Sequence, residues 1–275
     1  MKMTNSTMNK RTSDFLITKE YHKFEEFCNA CFRESYIGLC HGVPGVGKTL
    51  SAKYYAQLDS LQQFNLAKRK ADKKSLAPKI LTNQTIFYTA KILNTPKRIN
   101  MAIKNERLNL FRTRLEAFRL LKPKSTYKED FRTLIIIDEA DRLTMRSVEQ
   151  VRDIYDRLEN VGVILIGMPG IEKRLSRYAQ LYSRVGFLHE FRPIKNKEIN
   201  FILQHYWSKL ELKLKKDIFS DAELTATIAR ITKGNFRLIQ KLFSQIKRIV
   251  TINKLSIVNK EVIEAARKCM VIGHN

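Results

Sequence analysis

Two clusters in this 275-residue chain have the residue types and spacing that phosphate chemistry needs. The first is Gly42-Val43-Pro44-Gly45-Val46-Gly47-Lys48-Thr49, a complete G-x-x-x-x-G-K-[ST] phosphate loop. Its glycines allow positive φ angles and close backbone approach, so the N–H groups from Gly42 through Leu50 can turn inward around a polyphosphate anion. Pro44 stiffens the loop, and a helix opening at about Lys48 adds its positive dipole end. Lys48 is spaced to reach the β and γ phosphates of ATP, and the Thr49 hydroxyl to ligate Mg²⁺.

The second cluster is Asp138-Glu139, which follows the aliphatic run Leu134-Ile135-Ile136-Ile137. Such a run predicts a parallel strand buried on both faces, and its carboxylates arrive at the C-terminal end, where open α/β sheets bind ligands. Asp138 is placed to hold Mg²⁺ through its water shell. Glu139 is placed to orient and deprotonate the water that attacks the γ-phosphorus. Asp141 is expected to cap or salt-bridge the next helix.

The elements that must carry these groups can be read from periodicity. From Thr18 to Arg33 the apolar positions Tyr21, Phe24, Phe27, Cys28 and Cys31 form one helical stripe, with Thr18 as N-cap. This segment, Phe15 to Tyr21 above all, either supplies a wall against a nucleotide base or packs as plain core. An apolar strand (36–40) precedes the phosphate loop, and a helix follows it to about Leu61. Residues 68–74 are expected to be a solvated basic loop. A strand over 84–89 and a helix from about Lys97 to Leu121 come next, with Arg98, Lys104, Arg107, Arg112, Arg114 and Arg119 on the helix's outer face. Further strands are expected at 161–167 and 185–191, with a helix over 171–181 between them. Alternation of this kind predicts a parallel α/β sheet. After Arg192-Pro193 the patterns turn helical, over 196–210, 220–232, 235–253 and 259–271, with a possible stray strand at 254–258. The expected organisation is a disordered polar leader (1–17), a nucleotide-binding α/β domain (18–193) and a small helical lid (194–275).

Composition bounds the partners. With 44% hydrophobic and 28% charged residues and no run of 18 apolar positions, the chain is expected to be a soluble, cytoplasmic protein with no membrane partner. The formal charge of +24 is concentrated: residues 66–128 hold 17 Lys or Arg against 3 Asp or Glu, a net +14. Nucleic acid, gripped through its phosphates, is the default partner for such a field. Of the four cysteines, Cys28 and Cys31 have the spacing of a redox or zinc half-site, yet no second pair follows and no βαβ unit precedes them, so buried reduced thiols are the better reading. The five histidines form no ligand spacing, and His41 is expected to fill space beside the loop. Trp207 reads as lid core.

The order of these signals resembles an AAA+ ATPase: phosphate loop, strand ending in Asp138-Glu139, a further strand, an arginine before a short fifth strand, and a helical lid containing Gly234-Asn235-Phe236-Arg237. The phrases 37–49 and 135–143 resemble the transposition regulators of the TniB, TnsC and MuB group. The resemblance implies a three-layer α/β/α fold with a parallel five-stranded sheet. It implies that Arg184 is the finger reaching a neighbouring subunit's γ-phosphate, with Arg174 and Arg177 as alternatives, and that Arg237 is the lid arginine that senses nucleotide in its own subunit. It further implies a homo-oligomeric ring or filament on duplex DNA, which recruits or activates a transposase together with a target-selection protein. Lys91, Thr95, Lys97 and Arg98 fall where DNA contacts of such an assembly are expected, with Thr89 able to add a hydrogen bond. A polar sensor that many AAA+ proteins carry after the fourth strand is replaced by Gly167-Met168, which points to slow hydrolysis. A replication-initiation or helicase-loading ATPase, and a non-DNA AAA+ module of a secretion or signalling system, are the alternatives.

Overall fold

A computed structural model describes residues 15–128, 132–210, 218–255 and 258–270. The helices are α1 (Lys19–Glu34), α2 (Lys48–Tyr55), α3 (Leu58–Leu66), α4 (Lys70–Thr82), α5 (Pro96–Leu121), α6 (Met145–Arg157), α7 (Ile171–Leu175), α8 (Ala179–Tyr182), α9 (Asn196–Leu210), α10 (Ile218–Thr232), α11 (Phe236–Ile252) and α12 (Lys260–Lys268). The strands are β1 (Ile37–His41), β2 (Thr85–Thr89), β3 (Thr133–Asp138), β4 (Val161–Gly167) and β5 (Val185–Glu190). They form one five-stranded sheet in the order β2-β3-β4-β1-β5, every pair parallel. All six residues of β3 and all seven of β4 are buried, as strands covered by helices on both faces must be. Parallel pairing sends every C-terminal strand end to one edge of the sheet, so the loops after β1, β3 and β4 emerge together there.

The chain divides into two units. One holds the described residues through Gly42 and Lys48–Phe191; the other holds Val43–Gly47 with the described residues from Arg192 onward. In the second unit α11 turns Ile239, Leu242, Phe243, Ile246 and Val250 inward along one helical face, and Val262, Ile263 and Ala266 of α12 are buried as well. Asn235 and Asn259 cap these two helices by accepting the Leu238 and Val262 N–H groups at 3.2 and 3.0 Å.

Several expectations need correction. The helix after the phosphate loop does not run to Leu61. It stops at Tyr55, because Gln57 turns into the left-handed region (φ 52°) and the buried Asn83 side chain takes the Ala56 carbonyl at 2.9 Å. Only 68 and 69 of the expected 68–74 loop are loop: α4 starts at Lys70, since Ala77 and Ile80 pack on Phe64 of α3 and Ala117 of α5. A dense run of lysines had masked that apolar spacing. Arg114 is buried at 7% exposure and does not belong to the outer face of α5. The helix over 171–181 is two short pieces, and Asp141 does not cap α6. Thr144 does, accepting the Ser147 N–H at 3.3 Å.

Of the expected leader (1–17), residues 1–14 lie outside the described residues, whereas Phe15 is placed, with its ring stacked on Tyr54 at 4.1 Å. Phe131, His274 and the side chain of Trp207 also lie outside the described residues, as do 256 and 257 of the stray strand. Among the described residues no strand follows β5, and no helix is long and apolar enough to cross a membrane.

Candidate functional site

Why the reactive groups meet follows from the sheet. β1 and β3 flank β4, and their C-terminal ends deliver the phosphate loop and the carboxylate pair to the same edge. The Thr49 hydroxyl donates to Asp138 Oδ2 at 2.8 Å, joining the start of α2 to the end of β3. Asp138 is 3% exposed, and burial pushes its carboxyl above the ordinary carboxylate range while the Thr49 hydrogen bond pulls it back. The Lys48 ammonium donates to the carbonyl of Gly42, at the mouth of the loop. Burial lowers its pKa, and Cys40, Asp138, Asp141 and Glu139 oppose that shift.

The loop itself has the shape of an anion cradle. Gly45 and Gly47 sit at φ 84° and 114°, a region that side chains strain to enter. Within the second unit, the Arg237 N–H donates to the Gly45 carbonyl at 3.0 Å and Asn235 Nδ2 to the Pro44 carbonyl at 2.8 Å. A Cβ on Gly45 would lie 2.5 Å from Asn235 Oδ1, so glycine is required both for the angle and for the approach. A cationic side chain, a hydroxyl beside a buried carboxylate, and a loop whose glycines take positive φ fit a triphosphate with a hard divalent cation.

Glu139 occupies the left-handed region (φ 56°) immediately after β3 and pairs with Arg142 at 3.4 Å, both side chains remaining partly exposed. Asp141 reaches across to the end of β4, where its Oδ2 accepts the Met168 N–H at 2.7 Å. The loop after β4, at Gly167-Met168, is thus held by a carboxylate of the β3 loop. Arg174, an alternative finger, is committed inward, donating to the Asp141 and Leu143 carbonyls.

Arg184 stands at the other edge. Its carbonyl accepts the Ile37 N–H at 3.1 Å, at the start of β1, and its guanidinium grips Asp156. Arg177 is exposed. Lys91 and Thr95 are exposed in the segment joining β2 to α5, Lys97 and Arg98 are exposed in the first turn of α5, and the Thr95 hydroxyl is partly spoken for as the cap of α5, accepting the Arg98 N–H at 3.3 Å. Thr89, at the end of β2, is exposed too. Sequence reasoning missed Asn94 and Arg142 as organising residues, and gave Asp141 a helix-capping or salt-bridging role in place of its bond to Met168. An Asn before Thr-Pro is a turn signal that could have pointed to the first of them.

Cys28, Cys31 and Cys40 are buried free thiols; burial pushes Cys31 up to about 12 and the other two well above the usual thiol value. Among the described residues no group of His, Cys, Asp and Glu could hold a metal ion by itself. His41 is half-buried beside Gly42, with its Nδ1 buried and without a hydrogen bond.

Comparison with known proteins adds three findings. The "AAA domain" family matches residues 33–175. A Staphylococcus aureus protein described as "Potential ATP-binding protein" is 42% identical over 274 residues, covering 96% of this chain and 98% of that one. Among solved structures, the Thermotoga maritima RuvB Holliday junction branch migration motor superposes with a TM-score of 0.58 at 17% identity, over 94% of this chain and 71% of that chain. The Aeropyrum pernix ORC1 protein in complex with DNA also gives 0.58 at 17%, over 94% and 67%. At such identity the likeness is one of fold.

Proposed function

Because this chain belongs to the AAA domain family, we propose that it is a Mg²⁺-dependent, oligomerising ATPase that works on duplex DNA, selecting a target and recruiting or activating a transposase. The observation that carries the nucleotide half is the Thr49–Asp138 hydrogen bond beside Lys48: two groups suited to one hard cation and one suited to a phosphate, at one sheet edge. ATP with Mg²⁺ would supply the reactive phosphoanhydride and neutralise its charge. The loop N–H groups and Lys48 would hold the phosphates, with Thr49 and Asp138 on the cation. Glu139 would accept a proton from the attacking water. Arg237, whose N–H already holds Gly45, is assigned to sensing the nucleotide.

Arg184 is assigned to a neighbouring copy. It lies at the N-terminal edge of the sheet, one strand length away from Lys48 and Asp138, on the order of 17 Å for five residues. A guanidinium suits spread phosphoryl charge because it does not titrate. The DNA half of the proposal rests on the net +14 over residues 66–128 and on the exposed cations after β2. It is also supported by the two solved structures of like fold, one a Holliday junction branch migration motor and one in complex with DNA. The transposition assignment rests on the phrases 37–49 and 135–143, which resemble that group of regulators.

Electron microscopy with Mg²⁺, a slowly hydrolysed ATP analogue and duplex DNA tests the proposal. Rings or filaments, with DNA binding that weakens steeply as salt rises, are expected. Solitary particles with no salt-dependent binding would sink it.

A further inference from the structure

β5 is an edge of the sheet: it pairs with β1 alone, and among the described residues no strand lies on its other side. The opposite edge is better covered, since Thr85, Ile86 and Tyr88 of β2 are buried and the Lys53 ammonium lies 5.8 Å from the centre of the Phe87 ring. On β5 every second residue is exposed (Gly186, Leu188 and Glu190), and Leu188 reaches 59%. The direction of the backbone groups follows from the register. The Phe191 N–H donates to the His41 carbonyl at 2.7 Å, and these groups alternate along a strand, so Phe187 and His189 face β1. Leu188 therefore turns its N–H and C=O outward, in phase with Glu190. An outward ladder edge matches an extended backbone, whose donors and acceptors a helix keeps to itself.

A groove of about 490 Å³ lies between this edge and α1, lined by Phe27 and Ala30 of α1 and by Phe187, Leu188 and His189 of β5. The His189 Nε2 is buried there without a hydrogen bond. A strand laid beside β5, about 4.8 Å away, would turn alternate side chains to the face that α1 covers, and so into the groove. We propose that the β5 edge docks an extended segment of another protein, which adds to the sheet at Leu188 and drops an aliphatic side chain between α1 and β5. A second copy of this chain is a poorer match. Gly186 is an extra residue in β5, inserted between the partners of Ile37 and Gly38. A two-fold pair centred on Leu188 would set this bulge against Glu190 of the other copy and keep a ladder only around Leu188 itself. A flexible peptide can follow the bend, whereas two preformed edges cannot. The outward ladder before the bulge is short, so the groove supplies much of the affinity and the choice of side chain.

The test selects binders to the full chain from a phage-displayed library of random peptides. Enriched sequences should place aliphatic residues at alternate positions, and the synthetic peptides should slow hydrogen exchange at the Leu188 amide. Leu188→Pro removes the outward N–H yet leaves the ladder to β1, because proline is tolerated where a strand's N–H faces solvent. It should bind these peptides about tenfold more weakly with its melting temperature unchanged. Leu188→Thr keeps the N–H and should retain most of the binding. Ala30→Leu, which narrows the groove from the α1 side, should weaken binding with the Leu188 backbone intact. If Leu188→Pro fails to fold, Ala30→Leu and the exchange rate at Leu188 decide alone. Peptides that bind Ala30→Leu and Leu188→Pro as tightly as the parent, or that leave the Leu188 amide in fast exchange, overturn the proposal. So does a library that yields no alternating sequence. A dimer of the parent that dissociates in Leu188→Pro would put a second copy on the edge and overturn it as well.

Discussion

Arg184 lays its guanidinium across Asp156, Nε to Oδ1 at 2.6 Å and Nη2 to Oδ2 at 2.9 Å, and so ties the turn before β5 to the last turn of α6. Arg152 holds the same carboxylate from within α6, at 2.9 Å. A fork seated this way is pre-aimed: its rotamer is set before any partner arrives, which lowers the ordering cost of a contact made across a subunit boundary. If Arg184 completes a neighbour's site, Arg184→Ala should cut the turnover number on the order of 10³-fold, as loss of a trans arginine does, with monomer nucleotide affinity unchanged. Asp156→Asn should give a smaller loss, because the arginine remains but is no longer aimed. Steady-state assays across protein concentration check both, and full oligomer-dependent activity in Arg184→Ala would move the finger to the exposed Arg177.

Lys48 and Thr49 make separable contributions. Lys48→Ala removes a half-buried cation from the loop mouth and should abolish nucleotide binding, and assembly with it. Thr49→Ser keeps the hydroxyl that donates to Asp138 and should retain most activity, whereas Thr49→Val leaves Asp138, already pushed above the usual carboxylate range by burial, without that donor. The Val variant should lose Mg²⁺-dependent affinity by roughly tenfold or more, the worth of a hydrogen bond to a charged group. Titration calorimetry with and without Mg²⁺ distinguishes the three.

Gly45→Ala tests the loop's shape apart from its charge. At φ 84° an alanine is strained, and its methyl would meet Asn235 Oδ1 and the Arg237 Cβ, 2.5 and 2.9 Å from the ideal position. The cost should be about 1–3 kcal/mol in stability of the loop conformation, seen as weaker nucleotide binding with little change in the melting of the α/β unit. A variant that binds nucleotide as tightly as the parent would show that the loop adopts another form when loaded.

The elements that a reader of the sequence finds easily are those whose signals are local. Thr18, Asn235 and Asn259 announce three helix starts by capping chemistry, and the unbroken Leu134–Ile137 run announces a doubly covered strand. What stayed hidden depends on distant partners. α4 forms because Ala77 and Ile80 find Phe64 and Ala117, which the basic run over 68–74 obscures. The break after α2 depends on Asn83, far along the chain, taking the Ala56 carbonyl. The same holds at the site: Gly42–Thr49 and Asp138-Glu139 are a motif, but the commitment of Asp141 to Met168 and of Arg174 to Leu143 is tertiary and leaves no periodic trace.

His189 provides a pH-dependent test of how α1 packs on β5. Its ring stacks on Phe27 at 5.3 Å, and its Nε2 lies 3.8 Å from Glu20 Oε1. Burial depresses its pKa below 6.5; Glu20 and Glu26 oppose that shift, while Lys23 and His41 reinforce it. The unfolded chain therefore takes up the proton first as pH falls, so this group costs stability progressively below its unfolded value and nothing above it. His189→Phe keeps the stacking and should flatten the fall in melting temperature between about pH 7 and pH 5, the range in which an unperturbed histidine titrates. An unchanged slope would show that other groups govern the acid limb.

Glu139→Gln separates holding a nucleotide from consuming it. The residue sits at φ 56°, where glutamine is no worse than glutamate, and an amide oxygen can still accept from Arg142, so the fold around β3 should be unaffected. What is lost is the group that would take the water proton, for which general-base catalysis typically supplies about 10²–10⁴-fold. The variant should bind ATP with parental affinity, lose turnover by that factor, and hold its assembled state long after the parent has disassembled. Turnover followed by phosphate release, alongside light scattering of assemblies over the same interval, reads both outcomes. Normal phosphate release from Glu139→Gln would show that another group handles the water, and Asp141, whose Oδ2 already reaches the end of β4 at Met168, would be the next residue to replace.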